Sequence, residues 1–162
     1  MEWLNFFENG VWFGFAALGF AILFNVPKRT LLIIWILAAI GGLMKLLLMR
    51  FGISVVLATL LGASLIGVLS IPAAHNKHSP PLVFAIPSVI PMVPGVFAYQ
   101  MILGLIKLAG NPDAGDYTQV LAQTVSNGLK VMFILMSLAV GVAIPMLISR
   151  KSSIKRIKNT ND

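Results

Sequence analysis

Cysteine is absent from this 162-residue chain. That absence removes disulfides, thiolate nucleophiles and cysteine-ligated metal sites together, and says nothing about compartment. Charge is nearly as scarce: Asp, Glu, Lys and Arg make up 10% of the residues, against about 25% in a soluble domain. Only five residues are acids, and all five lie in predicted tails or loops, which argues against a proton relay built from this chain's own carboxylates. No Ser/His/Asp arrangement, paired intramembrane carboxylate or glycine-rich phosphate loop is present. No catalytic residue, enzyme activity or cofactor is therefore expected.

What is present is apolar. The hydrophobic fraction is 58% and the mean hydropathy +0.93. So few charges cannot keep that much apolar surface in water, so lipid must cover part of it. A bilayer core about 30 Å thick takes roughly 20 helical residues. By that ruler the chain predicts five spans, over 11–26 (with a possible start at Trp3), 30–49, 53–74, 81–108 and 119–148. Pro27 closes the first. The count falls to four if the fourth segment is re-entrant. Strands are excluded because the apolar runs are long and do not alternate. The fold class expected is an all-α integral membrane protein, with one transmembrane domain over 1–149 and a basic cytoplasmic tail over 150–162.

The +7 net charge raises the possibility of nucleic acid. Five of the twelve basic residues, however (Arg150, Lys151, Lys155, Arg156 and Lys158), directly follow a hydrophobic segment with no aromatic residue between them. Such a tail is a topology signal facing anionic lipid, and no nucleic acid is expected. With the N-terminus outside, Lys28, Arg29, Lys77 and those five fall inside, whereas only Arg50 and Lys107 fall outside. The bias predicts an N-out, C-in chain. Residues 1–10 hold Glu2 and Glu8 and no basic residue, and no small-x-small site follows, so the first segment is expected to stay in the protein.

The stretch PPLVFAIPSVIPMVPGVFAYQMILG, residues 80–104, stands apart. Pro87, Pro91 and Pro94 each remove a backbone donor and crowd the preceding turn, and Gly95 follows. Broken backbone survives inside a membrane only where protein or a water-filled cavity satisfies it. Discontinuous helices of this kind form the midplane sites of many transporters. A helix restarting near Gly95 turns backbone N–H groups and its positive end into the break, a seat for a carboxylate. The candidate binding residues are Ser88, Pro91, Pro94, Gly95, Tyr99 and Gln100. The competing reading is a proline-kinked helix that serves packing alone.

A polar stripe opens the fifth segment: Gln119, Gln123, Ser126, Asn127 and Lys130 share one helical face. Gln123, Asn127 and Lys130 are candidates for a polar path; alternatively the stripe lies in the outer interface with Lys130 snorkelling. Lys45 sits inside the second segment, where a charge is a functional candidate by default, though its closeness to Arg50 allows snorkelling. Small residues stand four apart at Gly10 and Gly14, Ala58 and Gly62, and Ala63 and Gly67, with Gly41-Gly42 beside them, a pattern suited to close helix contact. His75 and His78 lack a third ligand nearby, so no metal site is expected.

Two stretches, AILFNVPKRTL at 21–31 and PSVIPMVPGVFAYQMILGL at 87–105, resemble the threonine/serine exporter family in its small-subunit form. The likeness in size, profile and motif order covers nearly the whole chain. It implies a bacterial inner or plasma membrane transporter half that works with a larger partner subunit, and a small carboxylate-bearing solute. Threonine and serine are the implied solutes, with succinate, exported by related two-component systems, as the alternative. A non-transporting scaffold for a partner's helices is the reading from a different class. The orientation is testable at once: a reporter active only in the cytoplasm should be active when fused after Asp162. A tag ahead of Met1 should be reached by impermeant reagents from outside.

Overall fold

The computed structural model describes residues 2–110 and 114–158, with side chains over 4–110 and 116–149. The tail side chains, Glu2, Trp3 and Asp113 therefore lie outside the described residues. Every element among the described residues is helical: α1 Glu2–Leu23, α2 Leu31–Arg50, α3 Val55–Lys77, α4 Pro81–Val89, α5 Gly95–Ala109 and α6 Ala114–Lys158, with single 3-10 turns at Lys28–Thr30 and Ile90–Met92. Among the described residues four helices are long and apolar enough to cross a membrane, and α4 with α5 makes a fifth if the broken pair counts as one span. The helices fall where hydropathy puts them. α1 starts near Trp3 rather than Val11, and α6 starts at Ala114 rather than Gln119. The apolar spans themselves run over Leu4–Leu23 and Asp116–Ser149.

The chain divides into two compact units. One holds α1 to α4 with the end of α6 from Ser137; the other is Val93–Met136. In the first unit, three helix ends close by one device. A residue in the left-handed region turns the chain, and the next N–H reaches back to the carbonyl five residues earlier. At α1 this residue is Asn25 (φ 54°), with Val26 N–H donating to Ala21 O at 3.0 Å. Termination thus precedes Pro27. At α2 it is Gly52 (φ 79°), with Ile53 N–H on Leu48 O at 3.1 Å. At α3 it is His78 (φ 50°), with Ser79 N–H on Ala74 O at 3.2 Å. Ser54 then caps α3 by accepting from Leu57 N–H.

The core of this unit is built from Ala17, Ala21, Ile34, Leu37, Ala38, Ala74 and Phe84. Small residues set how closely the helices approach. A Cβ on Gly62 would lie 2.9 Å from the Gly41 carbonyl oxygen and 2.9 Å from Met92 Cε, so α2 and α3 touch backbone to backbone. Gly67 and Gly141 do the same for α3 and the end of α6: a Cβ on Gly141 would lie 2.9 Å from Leu60 O. Van der Waals contact of this kind, rather than expulsion of water, drives helix association in lipid.

Gly62→Ala should lower the stability of the detergent-solubilised protein by about 1–3 kcal/mol, because backbone must move to admit the methyl. Gly95→Ala, whose added Cβ meets nothing within 4 Å, should leave the thermal unfolding midpoint where it is.

Candidate functional site

The proline segment breaks at one place. Pro87 is accommodated, buried, inside α4, and Pro91 tightens the chain into the 3-10 turn Ile90–Met92. The interruption comes at Val93-Pro94. Pro94 has φ −81° and ψ 62°, outside the helical region, and Gly95 N–H turns back to Val93 O at 2.9 Å. α5 then propagates from Ala98 N–H on Pro94 O at 3.1 Å, with no side chain capping its start. Gly95 N–H is thus engaged locally, and the open donors of the first turn are those of Val96 and Phe97.

Ser88 belongs to the first unit's core. Its hydroxyl is buried and shared between Phe84 O at 2.7 Å and Ile34 O at 3.2 Å, tying α4 to α2. Lys45 also turns inward: its Nζ donates to Met92 O at 3.1 Å. His75 and His78 each direct Nδ1 at a backbone carbonyl, of Ile71 and of His75 respectively. Among the described residues no three His, Asp or Glu side chains converge as metal ligands would.

In the second unit α5 and the first half of α6 run antiparallel. Gly104 makes the crossing possible, since any side chain there would run into the Thr124 hydroxyl, and Gly128 lies against Met101. Thr124 is buried, with its hydroxyl donating to Val120 O at 2.7 Å. Beside this crossing lies an open cleft of about 610 Å³, lined chiefly by Gln100, Lys107, Gln123, Ser126, Asn127 and Lys130. Lys130 Nζ also sits 5.2 Å from the centre of the Phe97 ring, a cation–π contact.

The cleft brings together two features that stand apart in the sequence, Gln100 from the proline segment and the Gln123, Asn127, Lys130 stripe. Pro94 and Gly95 stand at the start of α5. Tyr99 is 64% exposed on α5 and does not line the cleft. Pro91 and Ser88 belong to the first unit. Sequence reasoning missed Lys107 as a lining residue, counting it as a loop charge. Its spacing of seven from Gln100, through Leu103 and Gly104, marks the shared face.

The family model described as Threonine/Serine exporter, ThrE, matches residues 9–148. The chain belongs to the threonine/serine exporter family. It is also 34% identical over 134 residues to an uncharacterized protein of Haemophilus influenzae; the match takes in 82% of this chain and 43% of that relative, so the chain spans less than half the relative's length. No solved structure matches. The family is one of membrane transporters.

The cleft's wetness is measurable because the chain is free of cysteine. Gln123→Cys and Asn127→Cys should react with a water-soluble maleimide at least about tenfold faster than Val125→Cys and Leu129→Cys, which do not line the cleft and, where they face lipid, would be disfavoured as the reactive thiolate.

Proposed function

We propose that this chain is the small membrane subunit of a bacterial plasma membrane exporter for threonine and serine, acting with a larger partner subunit by alternating access. Family membership supports the exporter class. The observation that carries the solute reading is the cleft, where Lys107 and Lys130 stand among three side-chain amides and, among the described residues, no carboxylate lines the wall. Two cations and several donors in a partly apolar groove attract a carboxylate.

In this reading Pro94 and Gly95 shape the break, while Gln100 and the stripe of Gln123, Asn127 and Lys130 form the polar route. Tyr99 is a further contact from the exposed side of α5, and Ser88 and Pro91 fix the segment before the break. The charge bias supports a chain with the N-terminus outside and the tail at 150–162 in the cytoplasm, following a single transmembrane domain over 1–149. The Haemophilus influenzae relative, more than twice as long as the stretch it shares with this chain, is compatible with a second half carried on another polypeptide.

Export of a dicarboxylate such as succinate is the second reading, favoured by the presence of two lysines rather than one in the cleft lining. Efflux from cells carrying both chains, with threonine, serine and succinate in competition, separates the two. Gly95→Trp should abolish export without loss of membrane insertion. Lys130→Gln should lower it about tenfold or more, the scale of one lost charge-assisted contact. Export by the larger subunit alone would reduce this chain to a scaffold.

A further inference from the structure

The ammonium of Lys45 has the geometry of a helix cap. In an unbroken helix the Met92 carbonyl would accept the N–H of Val96, four residues on. Here the helix stops, Pro94 has no N–H to offer, and Gly95 N–H is turned to Val93 O. Lys45 Nζ fills the vacancy from a different helix, 3.1 Å from Met92 O.

The placement is specific in three ways. Lys45 lies ~21 Å along α2 from Leu31, within the apolar part of the span and not at its edge. A snorkelling lysine would run outward toward Arg50 and the headgroups, whereas this one is half-buried and bonded to main chain. Met92 is 1% exposed, and its side chain fills the space left open by the missing Cβ of Gly62. Lys45, Gly62 and Met92 thus meet at one point where α2, α3 and the end of the α4 segment come together. A cation at a helix C-terminus also faces the negative end of the helix dipole, so charge and hydrogen bond act in the same direction.

We propose that Lys45 is a positioning residue of the exporter: by holding the Met92 carbonyl it fixes where the broken helix ends, and so where α5 begins. The inference rests on the exporter reading for its consequence in transport, but not for its geometry. A neutral side chain of similar length leaves the carbonyl without its partner, and residues 90–94 must find another arrangement.

The test places a single cysteine at Val93, 44% exposed and next to the capped carbonyl, in the full chain in native membranes. With Lys45 present, its alkylation by a water-soluble maleimide sets the reference. Lys45→Met should change that rate at least about fivefold, the scale of one charge-assisted bond lost, while a cysteine at Gln123 reacts as before. Lys45→Arg, which keeps cation and donor, should restore the reference rate. Lys45→Gln serves where Lys45→Met fails to insert. Maximal export should fall with the same variants and recover with Lys45→Arg. An unchanged rate at position 93 in both neutral variants overturns the proposal. If the parent chain with its partner exports none of the three solutes, the exporter reading falls, and alkylation at position 93 still decides the placement of Lys45.

Discussion

Hydrocarbon offers no water to take up a stray N–H or C=O, and the arrangement of this chain follows from that constraint. Three helix ends in the first unit close on themselves through Asn25, Gly52 and His78. Buried hydroxyls are spent the same way: Thr59, Ser70, Ser88 and Thr124 each donate at 2.7 Å to the carbonyl four residues earlier. Among the described residues no buried side-chain nitrogen or oxygen lacks a partner. The break at Val93-Pro94 is where main chain and hydroxyls no longer suffice. A charged side chain from α2 is recruited to the Met92 carbonyl just before it.

The two units meet this constraint differently. In the first, glycines let backbones touch, and alanines with single large residues such as Ile34 and Phe84 fill the interior. In the second, α5 has no fully buried residue, and it faces α6 across a groove lined with amides and lysines. A surface of that kind is costly against lipid tails, so it belongs against water or a further protein surface.

Much of the architecture was legible in the sequence because hydropathy and proline act locally. The spans at 30–49 and 53–74 lie within a few residues of α2 and α3, and the break falls inside the proline segment, next to the predicted restart at Gly95. The spacing of Gly10, Gly14, Gly41, Gly42, Gly62 and Gly67 suggested close helix contact, which each makes, but not which side chains or carbonyls it meets. Tertiary facts were not legible. Pro27 looked like the stop of α1, but Asn25 ends it, since left-handed backbone leaves little mark beyond an Asn or Gly. Lys45 could have pointed either way along its helix, and only the position of Met92 decides. Gln100 and Lys107 joined the stripe on α6 because Gly104 brings two helices together, a contact that no single-helix pattern contains.

The lopsided charge of the cleft has a consequence under the proposed function. A free amino acid is a zwitterion, and if the cleft is its site, as proposed, this wall would hold the two ends unequally. The carboxylate would meet positive charges at Lys107 and Lys130, while the ammonium would find only the amide oxygens of Gln100, Gln123 and Asn127 and neighbouring hydroxyls. A molecule held so would be oriented, carboxylate to the lysines and amine to the dipoles, with the strength of the grip set at one end. Among the described residues, no negative charge that would tighten the other end lines this groove.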